Sequence, residues 1–228
     1  MVRALLDGRK SQTRRVVKPQ PAAHRNILHV MPDNEFCFSG NWLNEDGQPI
    51  TPEEQMREHG AWPDVELGSR LCPYGKPGDR LWVREGWTGT WHPTHKNGNQ
   101  MLLHYKADGT ERFVTAPEDY ILPKAAAKSG KFVTALFIPR WASRITLEIT
   151  EVRVQRLQEI SMEDCIAEGI ECDPDTMHCA NYLDPADDAR IGRWMGPQSS
   201  YMTLWESING IGSWDANQWV WCVSFRRI

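Results

Sequence analysis

Hydrophobic and polar positions alternate with clear periods in only a few stretches of the chain, and those stretches define its predicted elements. Val2, Leu5 and Leu6 fall on one face of a short opening helix, with Gly8 where a left-handed residue closes a helix. Residues 12–18 read as an extended segment stopped by Pro19. Lys76-Pro77-Gly78-Asp79 is a turn, and residues 80–85 alternate charged and apolar side chains as a half-buried strand does. Residues 101–106 form a further strand ended by Asp108-Gly109. The strongest β signal lies in 132–158, where Ile145, Leu147 and Ile149, then Val152 and Val154, alternate with polar residues.

Ser161 through Glu168 reads as a short helix with Ser161 as N-cap, Asp164 three residues on, and Gly169 as its stop. Tyr201, Leu204, Trp205 and Ile208, at i, i+3, i+4 and i+7, predict an amphipathic helix, and residues 219–225 a closing strand. Strands with few helices and no βαβ alternation give an α+β class, built as a small mixed β-barrel. Residues 1–228 then form one domain, interrupted by insertions at about 20–77, 107–131 and 172–199 whose periodicity is weak.

Composition adds limits. The 228 residues are 40% hydrophobic and 25% charged, ordinary for a globular chain, and no apolar run reaches membrane-spanning length. Charged residues within the first ten positions interrupt any signal-peptide core, so a cytoplasmic protein with no membrane partner is expected. The six cysteines hold no Cys-x-x-Cys pair and are read as free thiols. The nearest approach to a metal cluster, Cys165, Cys172 and Cys179 with His178, lacks close ligand spacing, and His92, His95 and His104 are too loosely spaced. No metal or cofactor is assigned. Eleven tryptophans are an excess, most of them expected to anchor the fold.

Charge is uneven. Six basic side chains stand against Asp7 alone in residues 1–20, whereas residues 151–190 carry eleven acids against three arginines, and the whole chain is −4. That excludes tight sequence-blind duplex binding and suits a compact anion such as a nucleotide or short single strand.

The densest candidate chemistry is Gly8-Arg9-Lys10-Ser11-Gln12-Thr13-Arg14-Arg15. A desolvated Lys10, crowded by other cations, is a usable base, and Thr13 a hydroxyl for it to activate. The two cooperate only if Lys10 is still on the turn while Thr13 has entered the strand. Arg15 then shares Thr13's face and Arg14 points away. Glu168, in the last turn of its helix where the dipole disfavours a carboxylate, is the candidate acid, with Glu163, Asp164 and Glu171 nearby. Trp82 and Arg84 share a strand face beside Glu85, and Trp141 with Arg144 could sandwich a base. Together with Arg9, Arg14 and Arg15 these are the candidate substrate-binding residues.

The segment Gly-Arg-Lys-Ser-x-Thr-x-Arg after a short helix resembles the signature of the ASCH family, relatives of PUA-type RNA-binding barrels. Gly78-Asp79-Arg80-Leu81-Trp82-Val83 resembles its G-D-x-L-x-V strand, residues 145–160 its strand leading into a short acidic helix, and residues 219–226 its closing strand. Over nearly its whole length the chain is similar to phage and prophage ASCH proteins, through Pro139-Arg140-Trp141-Ala142-Ser143-Arg144 and Ser207-Ile208-Asn209-Gly210 with Trp214, Asp215, Asn217 and Trp219. Members of that group often begin with an additional strand, which implies one missing here or supplied otherwise.

The resemblance implies an N4-acetylcytidine amidohydrolase chemistry in which the family's Lys-x-x-Thr falls on Lys10 and Thr13 and its Glu on Glu168. It also leaves open a non-catalytic module that reads RNA or a modified DNA base, and an ASCH-type ribonuclease. Large insertions fit a partner surface or a longer polynucleotide track better than a bare nucleoside pocket.

Overall fold

A computed structural model of the chain describes residues 1–21, 72–91, 100–122, 131–173, 175–176, 178–183 and 196–228, together with four short strands in between. The opening helix α1 (Val2–Leu6) precedes β1 (Gln12–Val16). The short strands β2 (Ile27–Val30), β3 (Phe36–Ser39), β4 (Trp42–Leu43) and β5 (Pro49–Ile50) form two separate hairpin-like pairs. Then come β6 (Arg80–Trp82), β7 (Trp87–Trp91), β8 (Gln100–Tyr105), β9 (Glu111–Thr115) and the long β10 (Thr146–Arg156). Two helices, α2 (Met162–Ala167) and α3 (Pro197–Asn209), lead to β11 (Trp219–Arg227).

The class is therefore α+β with few helices. The main sheet has the order β1-β11-β10-β6, and a second is the meander β7-β8-β9. Every described pairing is antiparallel, so the expected mixed sheet is corrected. The order of the main sheet is linear, with β1 and β6 as its edges among the described residues. No described helix is long and apolar enough to cross a membrane.

The long strand β10 explains how the pattern becomes a core. Ile145, Leu147 and Ile149 are buried at odd positions, but Val152 and Val154 at even ones. A β-bulge between Ile149 and Glu151 inserts one residue, which restores both sets to the same face. That face packs on Val17, Trp219, Trp221 and Val223 at one end and on Leu5, Leu81, Val83 and Phe225 at the other. Val220 and Cys222 of β11 instead face α2 and α3, where Tyr201, Leu204 and Trp205 are buried. Ile208, expected on that helix face, is 58% exposed.

Several boundaries depart from the sequence pattern. Only residues 80–82 of the expected strand 80–85 pair with β10. The stretch 132–144 forms 3-10 turns at Ala135–Phe137 and Arg140–Ala142 rather than strand. Within the expected insertion 107–131, β9 completes a hairpin with β8 around Gly109, whose φ is +73°. Cys172 and Cys179, read as free thiols, are joined as a disulfide across an isolated bridge; Cys72, Cys165 and Cys222 are free. Four of the tryptophans, Trp87, Trp205, Trp219 and Trp221, are buried anchors as expected.

Between the two sheets lies Arg144. Its guanidinium donates to Glu85 Oε1 and Oε2 at 2.9 and 2.8 Å and to both Asp108 oxygens at 2.9 Å, and it stacks 4.1 Å from the Tyr105 ring centroid. Glu85 is buried, so removing its partner strands a carboxylate in the interior. Arg144→Ala is expected to destabilise the fold by about 3–5 kcal/mol, read as a fall in the urea midpoint. A loss below about 1 kcal/mol would show that the fork is not structural.

Candidate functional site

Lys10 sits on the turn between α1 and β1, as the sequence required. Its backbone N–H donates to Ala4 O at 2.9 Å, and the next residue's N–H, that of Ser11, donates to Ala167 O at 2.8 Å. This turn is held against the C-terminus of α2, and the Lys10 ammonium finishes the cap. Nζ donates to the Glu168 carbonyl at 2.7 Å and to Glu168 Oε2 at 2.8 Å. Helix-end carbonyls need such donors, and a cation there also complements the dipole. Gly169 makes the approach possible. Its φ is +84°, and a Cβ at that position would lie 2.8 Å from Lys10 Cβ.

The pair is buried: Lys10 is 7% exposed and Glu168 2%. At the other end of α2, Ser161 accepts a hydrogen bond from the Asp164 N–H at 3.1 Å, the N-cap expected from the sequence. Among the neighbouring acids, Glu163 and Glu171 are exposed, and Glu171 pairs with Arg9 at 3.5 Å. Glu168 is thus the acid that meets Lys10.

Arg14 points away from the face of Thr13 and Arg15, as expected, and the correction concerns Lys10: it lies on Arg14's side, so that Lys10, Gln12 and Arg14 converge on α2. Arg14 Nη2 donates to Asp164 Oδ2 at 2.6 Å, Nη1 donates to Gln12 Oε1 and reaches Glu168 Oε1 at 3.4 Å, and the guanidinium carbon lies 5.9 Å from the Tyr201 ring centroid. Asp164 also accepts from Gln12 Nε2 at 3.1 Å and from Arg153 Nη2 at 3.0 and 3.1 Å. The buried Arg14 Nε finds no acceptor among the described residues. Gln12, Arg153 and Tyr201 were not candidates, and Asp164 entered only as a neighbour of Glu168. Only the even spacing of Lys10, Gln12 and Arg14 could have announced their common direction.

Thr13 is set apart from this group. It pairs with Val223 and Arg15 pairs with Trp221, whereas Arg14 pairs with Cys222. Cross-strand partners share a face, so Thr13 and Arg15 belong to the side opposite Lys10 and Glu168. Among the described residues the Thr13 hydroxyl makes no hydrogen bond with either.

One cavity reaches Glu168 and a second lies beside it; Lys10 is in the wall of neither. The smaller, about 60 Å³, lies between the open edge of β1 and helix α3, and its walls include Thr13, Arg14, Arg15, Glu168 and Tyr201. The larger, about 580 Å³, is lined by α1 with Glu85, Lys106, Gly169 and Tyr182. Met1 and Leu204 line both, which makes them neighbours.

Burial is the largest influence on Lys10 and pushes its ammonium below the ordinary lysine range. Glu168 opposes that, while Arg15 and Arg14 add to it by repulsion. Asp164 is affected in the opposite sense. Burial disfavours its charge, but Arg14, Gln12 and Arg153 outweigh burial and hold the carboxyl below the usual range.

The remaining candidates lie elsewhere. Arg9 is exposed and pairs with Asp7 at 3.0 Å. Glu85 and Arg144 are committed to each other, although Glu85 also borders the larger cavity. Trp141 meets Tyr120 at 4.9 Å with the rings nearly perpendicular, next to the core of the second sheet, while Arg144 stacks on Tyr105. Trp82 and Arg84 do meet, with the guanidinium carbon 4.9 Å from the ring centroid.

No protein-family model, curated protein or solved structure matches this chain.

The Asp164 shift fixes an acid limit to stability. The unfolded carboxyl takes up its proton near the ordinary value of 3.8, whereas the folded one resists. The unfolded state therefore binds more protons as pH falls, and this contribution, complete at neutral pH, drains away below about pH 4. Unfolding free energies from urea titrations should fall over roughly pH 4 to 2, and less steeply in Asp164→Asn. Parallel curves for the two proteins would remove Asp164 from the account.

Proposed function

We propose that this chain is a PUA-like protein of the ASCH type that removes an acyl group from the exocyclic amine of a modified cytidine-type base. The observation carrying the reading is the buried Lys10–Glu168 contact, whose Glu168 member borders a small cavity next to one large enough for a nucleoside. A volume of about 60 Å³ holds a few waters or a two-carbon acyl group, and small-molecule pockets begin near ~300 Å³. The acyl group would enter the smaller cavity and the base would rest in the larger.

The chemistry follows from the pair's proton balance. Lys10, with its ammonium form disfavoured by burial, takes a proton from the attacking nucleophile. Because Thr13 lies on the other face of β1, the geometry favours a water in the smaller cavity as that nucleophile, with Thr13 as a positioning residue. The water oxygen bonds to the acyl carbon, and the resulting oxyanion accepts from the unpartnered Arg14 Nε. Lys10 passes a proton across its 2.8 Å contact to Glu168, which delivers it to the leaving nitrogen as the C–N bond breaks. The products are a carboxylic acid and a free amine, for one water consumed.

A second reading, a module that binds the base without turnover, is favoured by one fact: Lys10 and Glu168 already satisfy each other.

Hydrolysis of N4-acetylcytidine by purified protein tests the proposal. Lys10→Met and Glu168→Gln are each expected to lower kcat by about 10²–10⁴-fold, with folding checked by circular dichroism. Thr13→Ala should lose less than either. Nucleoside binding with no turnover by the wild type would select the second reading. Turnover undiminished in folded Lys10→Met and Glu168→Gln would discard the mechanism.

A further inference from the structure

Five of the thirteen described arginines, Arg9, Arg14, Arg144, Arg153 and Arg226, have a carboxylate partner. Around Trp82 two that have none come together. The guanidinium carbon of Arg84 lies 4.9 Å from the ring centroid and that of Arg140 5.9 Å, both side chains are exposed, and neither has an ion pair or hydrogen bond among the described residues. Arg80, two residues before Trp82 on the same face of β6, is exposed and likewise has no ion pair or hydrogen bond among the described residues. The acid across from it, Glu148, accepts from Arg226 at 2.8 Å instead.

Two uncompensated guanidiniums therefore gather at one aromatic, with a third arginine on the same strand face, on a chain of net charge −4. Stacking on a ring engages the guanidinium face and leaves its edge N–H donors open. It also restricts the rotamers of a long side chain in advance. Planar forks of this kind bind phosphate oxygens in pairs.

We infer that Arg84 and Arg140, stacked on Trp82, together with Arg80 two residues along the same strand face, form a clamp for the phosphodiester backbone of a single-stranded nucleic acid. The inference rests on the cytidine reading above and deepens it: the acylated base would be presented within a strand. Register supports this, because Trp82 and Arg80 lie on the same face of the main sheet as Gln12 and Arg14. The clamp is on the far edge strand, roughly 14 Å across the sheet at three strand spacings. Three positive groups are too few for sequence-blind duplex binding, and a flexible single strand can follow the sheet from one edge to the other.

Binding of a fluorescently labelled 12-nucleotide oligouridine, followed by anisotropy across a salt series, tests the clamp. For single strands each phosphate contact adds about 0.7 to the slope of log K against log salt. Arg84→Gln with Arg140→Gln should make that slope shallower by about 1.4 and weaken binding about tenfold or more at low salt. An unchanged slope and affinity would overturn the clamp. So would equal displacement by a glutamate peptide of matched charge, which would assign the arginines to an acidic protein. The two proposals fail separately. Wild-type protein that holds the strand through these arginines yet leaves N4-acetylcytidine intact keeps the clamp and removes the hydrolase. Hydrolysis without arginine-dependent strand binding does the reverse.

Discussion

Burying two cations from the first strand region is the constraint around which this fold is arranged. Lys10 and Arg14 lose most of their water, and each buried charge costs several kcal/mol unless an opposite charge meets it in good geometry. The compensating acids, Asp164 and Glu168, are about 150 residues away in sequence and sit one helical turn apart on α2. Their i, i+4 spacing puts both on the same side of the helix, opposite the even-numbered side chains leaving β1. Once they meet, the positions of α1, the following turn, β1 and α2 are no longer independent. The neighbouring core of Tyr201, Trp205, Val220 and Cys222 then closes over the network.

The same pairing redistributes the surface. By composition the N-terminal basic stretch and the acidic stretch after residue 151 look like two separate features of opposite sign. In the fold they cancel in part against each other, through Lys10–Glu168, Arg14–Asp164 and Arg9–Glu171. The basic cluster that suggested anion binding is thus half consumed internally. Arginines without a carboxylate partner also gather around Trp82, where sequence charge showed no excess, because Glu85 and Glu148 are drawn away by Arg144 and Arg226. Local net charge was a poor guide because partners separated by 60 to 160 residues decide which cations stay free.

Features set by adjacent residues were legible in the sequence. The caps of α2 at Ser161 and Gly169, the closure of α1 at Gly8, and the strands around Thr13, Ile149 and Val223 follow from local chemistry and period. The jump from odd to even burial between Ile149 and Val152 was visible as well, although only pairing with β11 shows it to be a bulge. Asp108-Gly109 was read as a strand end; a hairpin turn needs a second strand, and Glu111–Thr115 is too exposed to signal one by hydrophobicity. The Cys172–Cys179 link depends on a loop doubling back, which spacing alone does not specify. At the site, Lys10 and Glu168 were found as residue types, but that Lys10 shares Arg14's side of β1 rather than Thr13's was not. Direction depends on where strand parity begins after an irregular turn.

The geometry also separates what the fold needs from what it does not. Capping of α2 requires only a donor aimed at the Glu168 carbonyl, which Lys10 supplies at 2.7 Å, and this bond would persist with any side chain at position 168. Arg14 needs a counter-charge, but Asp164 at 2.6 Å already provides one, whereas the Arg14–Glu168 contact is longer at 3.4 Å. The Glu168 carboxylate is therefore not required by the cap and is of secondary use to Arg14. Its main partner is the Lys10 ammonium, and two well-packed apolar groups could replace that pair with little or no loss of stability. A carboxylate that costs desolvation and lies at the wall of a cavity is accounted for more fully by proton transfer than by packing. That asymmetry, between a carbonyl the helix must have capped and an ion pair that apolar packing could replace as a whole, is what supports the catalytic proposal over a purely structural one.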